Sequence, residues 1–301
     1  MTFNVRSLVI AAAAATALVA CGNSESEDAK GAQDGGTSDS PGQAGNGGGG
    51  AAGAGSDASG PSWIVHVVTT TDAFNHTDGY SGQTSRDTWQ GVRSFQLLHD
   101  AADTAPVLVF DHGNGFVEAG YNNADDTIVG SAPIAVVPAG KYTLARFGVS
   151  HSRYRVYSTM HAQGSAYPGD FNCVQVLSDN TSIDGVERAL GWYRYIFEFG
   201  GQSYPQEGAD APLPTSPTTG GFTMITIGGQ TYYDFPIVLD VPASVDHDMH
   251  VGLKVNMFES FRWEDQNQPG YAPAVYDTTP TSFEPVRRFG ANAAELIVLN
   301  P

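Results

Sequence analysis

From Trp63 onward the chain is written in short apolar runs separated by Gly, Pro, Asp and Asn, and no long helical period competes with them. Trp63-Ile64-Val65-His66-Val67-Val68 runs into three threonines, residues whose branched or aromatic side chains suit a pleated surface. Val107 to Phe110, Ile134 to Val137, Tyr142 to Val149 and Phe171 to Val176 repeat the theme and predict further strands. Ser85 to His99 fits either a short helix or a strand over Val92 to Leu98. Gly91 weakens the helix and favours the strand. Phe222 to Ile227 and Thr231 to Val241 flank Gly228-Gly229, a pair suited to a two-residue hairpin turn. Leu296 to Leu299 predicts a closing strand.

The clearest alternation runs from Val251 to Trp263. Val251, Leu253, Val255, Met257, Phe261 and Trp263 share one face, and Lys254, Asn256, Ser260 and Arg262 share the other. Period 2 sends the first set to a core and the second to water. Glu259 then points inward and Phe258 outward, which a bulge near 258–259 would explain. Together these segments predict an all-β fold, a β-sandwich of mainly antiparallel strands over residues 62–301. The Pro-rich passage Tyr204 to Gly221 is either a linker dividing that domain or a long loop within one packed unit.

Before Trp63 the pattern changes completely. Gly22 to Pro61 holds thirteen glycines and no Val, Ile, Leu, Met or aromatic residue. Nothing there can be buried, so residues 21–61 are predicted to be a disordered tether spanning about 35 Å. Further upstream, Arg6 precedes an uncharged apolar run from Leu8 to Ala20, well short of the ~20 residues that span a bilayer. Residues 1–20 therefore read as a signal peptide.

Leu18-Val19-Ala20-Cys21, at the end of that run, resembles the bacterial lipoprotein signal. The resemblance covers the first 22 residues and implies cleavage before Cys21, acylation of that cysteine and a lipid bilayer as its partner. Gly22, rather than Asp, after the cysteine resembles the outer-membrane type of Gram-negative sorting signal and implies a cell-envelope location. A second resemblance covers only Pro138-Ala139-Gly140-Lys141-Tyr142-Thr143-Leu144, which is similar to the turn-and-strand signature of transthyretin-like and carboxypeptidase-regulatory-like modules. It implies a sandwich and no activity.

The formal net charge is −18, and loss of Arg6 with the leader deepens it by one. Lys30, Lys141 and Lys254 are the only lysines. Such a chain repels nucleic acid, because phosphate binding needs clusters of Lys and Arg. With Cys21 acylated, Cys173 is the one remaining thiol and no intramolecular disulfide can form.

The sequence contains no Gly-x-Ser-x-Gly elbow, His-Glu-x-x-His, phosphate loop or dinucleotide fingerprint. Three constellations carry candidate chemistry. Asp246, His247, Asp248 and His250 offer metal-ligand types, although residues three apart on a strand face opposite ways. Asp111 and Asn114, with Asp125 and Asp126 downstream, offer oxygens of the kind calcium takes, but at no EF-hand spacing. Ordinary loop and turn chemistry is the preferred reading of both groups. The third constellation is aromatic: Tyr193, Tyr195, Phe197 and Phe199 form one face, read as core. The other face carries Trp192 and Arg194, a platform for a sugar ring or peptide. Trp263, Tyr271 and Tyr276 are further exposed-aromatic candidates.

These readings lead to a non-enzymatic, membrane-anchored lipoprotein acting as a binding or structural module of the envelope. The alternatives are a carbohydrate- or peptide-binding module with a calcium-stabilised loop, and an envelope hydrolase using scattered carboxylates or histidines.

Overall fold

The computed structural model describes residues 60–211 and 222–299. The leader, Cys21, nearly all of the tether and residues 212–221 of the Pro-rich passage lie outside them. The described chain is all-β, with a single short 3-10 turn, and its sheets form a curled, sandwich-like arrangement.

The organising element is one strand of 23 residues, Gly140–Ala162. Along one edge its first half pairs with Gln230–Val241 and its second half with Ser165–Val176. Arg86–Leu98 runs antiparallel along the other edge, so the ambiguous stretch is a strand. Tyr193–Phe199 and Gln202–Gly208 extend the sheet beyond Ser165–Val176, and Thr223–Ile227 extends it beyond Gln230–Val241. Strands before and after the Pro-rich passage thus belong to the same 11-stranded sheet. Gly228 and Gly229 take φ of +57° and +77°, the left-handed backbone that a two-residue hairpin turn requires.

Facing the first half of the long strand is a four-stranded sheet in the order Ala293–Val298, Met249–Asn256, Ser62–Thr70, Asp126–Pro133. Its central pair, Ser62–Thr70 with Met249–Asn256, is parallel. Each strand turns one face to the core and leaves the other partly covered, with Ile64 and Val68 on the first and His250 and Lys254 on the second. Trp63, Val65, Val67, Val251, Leu253 and Val255 pack there against Phe95, Leu97, Ala145 and Phe147. A second, aromatic core forms against the other half of the long strand, capped by the three-stranded sheet Val286–Arg288, Phe261–Trp263, Ser81–Gln83.

Two sequence expectations are corrected. Val251 to Trp263 is not one strand with a bulge but two strands in different sheets, Met249–Asn256 and Phe261–Trp263. Between them Glu259 adopts φ +45°, and the Phe258 N–H donates to Asn256 Oδ1, which turns the chain. Leu253 and Val255 are each 1 % exposed, while Lys254 faces Glu295 across the strand pair at 3.6 Å. Ser260 and Arg262, assigned to water by the alternation, are buried because the second strand has changed sheets. Arg262 is neutralised there by Asp78, with Nε 2.9 Å from Oδ2 and Nη2 2.6 Å from Oδ1. The second correction is Ile134–Val136, a 3-10 turn rather than a strand. Pro133 and Pro138 bracket it and withhold the N–H groups a ladder would use. The turn carbonyl of Ile134 accepts the Trp63 indole N–H at 3.1 Å.

In the segment from Pro138 to Leu144, Tyr142 is buried and donates its hydroxyl to the Pro138 carbonyl at 2.9 Å. Its ring stacks on His99 with centroids 4.7 Å apart. That bond closes the turn and starts the long strand.

Candidate functional site

Three neighbouring strands build one wall of the aromatic core by cross-strand rows. Tyr154, Cys173 and Tyr195 stand side by side, and the next row is Val156, Phe171 and Phe197. Period 2 puts Gln175 on the same face as Phe171 and Cys173, a buried polar residue in an otherwise apolar stripe. One residue pair farther on, Gly169 leaves the space that the Phe197 ring fills; a Cβ there would lie 2.7 Å from its Cζ.

The opposite wall comes from Phe261, Tyr276 and the segment Thr281 to Phe289. Phe261 meets Tyr276 edge-on at 5.0 Å, and Phe289 lies 4.2 Å from the Tyr154 ring. The two walls do not close on each other. A cavity of about 390 Å³ remains between them, lined by all three strands of the first wall and by Phe283 and Glu284 of the second. That volume is typical of small-molecule sites, which run about 300–1,000 Å³ and are mainly apolar with a few placed polar groups.

The thiol and the phenols of this cavity are held neutral. Burial pushes the Cys173 thiol and the Tyr154, Tyr195 and Tyr276 phenols well above their ordinary values. Burial also raises the Glu284 carboxyl, opposed by the N–H groups of Gln266 and Asp277, which donate to its two oxygens at 2.6 and 2.8 Å. Gln175 donates both amide protons, to the Tyr154 hydroxyl at 3.1 Å and to the Tyr195 hydroxyl. Arg287 lies at the rim with its guanidinium on Glu264.

The structure distributes the sequence candidates unevenly. Tyr276 lines the cavity and Trp263 packs behind it at 5.5 Å, but both are buried, not exposed as expected. Tyr271 lies elsewhere, stacked on His161 at 4.8 Å, and His161 in turn bonds Asp277 at 2.6 Å. Trp192 and Arg194 are on the opposite face of their sheet from Tyr195. The Trp192 ring is already occupied by the Arg188 guanidinium 4.2 Å from its centroid, and Arg194 bonds Asp184 at 2.6 Å. That pair is a cation–π and ion-pair cluster of the protein's own making.

Sequence reasoning missed Tyr154, Phe171, Gln175, Phe283 and Phe289. It read Tyr195 as core, and Tyr195 is buried but lines the cavity. The available signal was Gln175, an amide at an inward position.

The acidic and histidine clusters do not converge. Asp111 Oδ1 accepts the Gly113 N–H at 2.7 Å, and Asp125 Oδ2 accepts the backbone and side-chain N–H groups of Asn122 at 2.8 and 2.9 Å. Asn114 is exposed on the same loop. Asp248 caps the Ser62 N–H at 2.7 Å, and Asp246 bonds His247 at the surface. Among the described residues no three His, Cys, Asp or Glu side chains are grouped to hold a metal. Asp126 and His250, drawn from different clusters, do meet through His66. Its Nδ1 lies 2.7 Å from Asp126 Oδ1 and its Nε2 3.0 Å from His250 Nδ1, a chain of bonds tying three strands of the smaller sheet.

Ser150, His151 and Glu118 supply the atoms of a hydrolytic triad, with Ser150 Oγ 2.9 Å from His151 Nδ1 and His151 Nε2 3.1 Å from Glu118 Oε1. Ser150 and His151 are both 0 % exposed, and the Ser150 hydroxyl is bonded to the Gly91 carbonyl at 3.2 Å. A Cβ on Gly91 would lie 2.0 Å from that oxygen, so no acyl group can approach it. Burial lowers the His151 pKa against the pull of Glu118. This group fastens the two long strands and has no room for a substrate.

No family model matches the chain, and neither a curated protein nor a solved structure is significantly similar to it.

Proposed function

We propose that the chain is a lipid-anchored protein of the bacterial cell envelope whose β domain is a non-enzymatic binding module, with the aromatic cavity as its ligand seat. The supporting observation is the cavity of about 390 Å³ between two aromatic walls. Small-molecule sites are concave and mainly apolar with a few placed polar groups, and this space has that make-up. The groups around this space favour binding over chemistry, because its thiol and phenols are held protonated and its carboxylate is engaged by backbone N–H groups. Acylated Cys21 and the glycine-rich tether would hold the domain within about 35 Å of a bilayer, so a captured molecule stays at the envelope.

Two measurements test this. Cys21→Ser should abolish detergent-phase partitioning of the processed protein; unchanged partitioning would remove the anchor from the reading. Cavity-directed compounds should raise the thermal midpoint of the full chain in proportion to the logarithm of their concentration above Kd. Stabilisation by a divalent cation or glycan, and by no cavity-directed compound, would replace this reading with a surface-binding one.

A further inference from the structure

We infer that the ligand of the cavity is an uncharged, flat and mostly apolar molecule carrying one hydrogen-bond donor, which Gln175 receives. This rests on the binding function proposed above and narrows it to a chemical class. The amide of Gln175 fixes the donor. Its Nε2 protons are both given to the phenols of Tyr154 and Tyr195, and no group among the described residues donates to its Oε1. Gln175 is only 4 % exposed and lines the cavity. That oxygen is not one of the fully buried side-chain atoms left without a partner, so it opens on the cavity, where a ligand N–H or O–H can meet it.

Charge is disfavoured by the same walls. The Arg287 guanidinium at the rim is paired with Glu264, and backbone N–H groups donate to both Glu284 oxygens. An ion entering here would shed its hydration against walls that are mostly aromatic, with these charged neighbours already engaged. Flatness follows from the ring geometry: aromatic partners gain most from offset or edge-on contact at 4.5–7 Å, which a planar molecule offers to both walls at once.

The probe is 1-naphthol, titrated calorimetrically into the full lipid-anchored chain in nanodiscs, with empty nanodiscs as the blank. One molecule should bind per chain. Cys173→Leu, which projects a larger apolar side chain into the cavity, should abolish the signal. 1-Methoxynaphthalene, of similar shape but without a donor, should bind about fivefold more weakly, the loss expected for one hydrogen bond. Gln175→Leu should erase that difference, and the pair of ligands gives the same comparison without any substitution. Tighter binding of 1-naphthoate, 1-naphthylmethylammonium or glucose, abolished by Cys173→Leu, would overturn the ligand class while leaving a binding protein. Naphthol binding that persists in folded Cys173→Leu, or no cavity-dependent binding by any of these probes, would overturn both the class and the cavity as the seat.

Discussion

The two halves of the strand Gly140–Ala162 serve two different cores. The first half sends Tyr142, Ala145 and Phe147 into a mostly aliphatic core, where Leu97, Val65 and Leu253 are at most 1 % exposed. The second half sends Tyr154 and Val156 into an aromatic core that borders a cavity of about 390 Å³. Between them the buried positions change from odd (Ala145, Phe147, Val149) to even (Tyr154, Val156, Ser158). The register against Arg86–Leu98 shifts on both sides of Val92 at the same place. An extra residue in a strand flips every later side chain unless a bulge absorbs it, and here the bulge at Ser150 and His151 keeps one face of the sheet continuous. Rings meet in both cores, Phe147 edge-on with Phe235 at 6.0 Å in the first and Phe261 with Tyr276 at 5.0 Å in the second, but it is the second that borders the larger space. One strand can therefore carry a closed core and a hollow one.

The largest effect expected from this contrast is in the closed core. Leu253→Ala should lower the unfolding free energy by roughly 2–5 kcal/mol, through lost transfer energy and a residual cavity. Its neighbour Lys254 points the other way, into a half-exposed pairing with Glu295, so Lys254→Ala should stay within about 0.5 kcal/mol. Denaturant titration of both variants decides the matter; equal stabilities would mean that the faces of Met249–Asn256 are misassigned.

Overpacking should discriminate next. Ala145 is fully buried opposite Phe235 and Leu97 in the sheet. Ala145→Leu should cost about 1–3 kcal/mol, because the added carbons must displace buried neighbours. A neutral result by denaturant titration would show that the aliphatic core is as loose as the aromatic one.

Much of this division was legible in the chain. The abrupt onset of apolar runs at Trp63, the Gly228-Gly229 hairpin and the alternation around Leu253 are local patterns, and local patterns fix which residues turn inward. The out-of-phase pair Phe258 and Glu259 likewise marked the point where the chain leaves one sheet for another, although it read as a bulge within one strand. The cavity was not legible. Alternation places Tyr195, Phe171 and Phe261 inside but says nothing of the distance between the two walls they line. Nor could it show that Arg188 covers Trp192, or that His66 joins Asp126 to His250 from 60 and 184 residues away. Long-range placement of this kind depends on topology.

The seam between the cores should respond to pH. Burial lowers the His151 pKa below its ordinary 6.5, so the unfolded chain takes up this proton before the folded one. Stability is then greater above about pH 6.5 and declines as pH falls toward the folded value. Glu118 behaves similarly in a more acidic window. The His151 bond holds its pKa below the usual carboxylate range, and its contribution is lost as pH falls through that lowered value. Denaturation midpoints measured from pH 8 to 5 should fall for the native chain and flatten for His151→Gln. Identical slopes would mean that His151 is not the titrating group.

A second, nearly neutral substitution best separates the cores. Cys173 stands between Tyr154 and Tyr195 on the cavity wall, 6 % exposed, with its thiol held protonated by burial. Cys173→Leu adds apolar volume as Ala145→Leu does, but the added carbons enter space that already exists. The burial gained and any local strain should nearly cancel, leaving stability within about 1 kcal/mol of the native chain, toward the stabilising side. Thermal and denaturant unfolding of the two variants, compared side by side, isolates the void as the difference between them. A penalty for Cys173→Leu as large as that for Ala145→Leu would mean that the aromatic walls close up in solution and that the second core is as solid as the first.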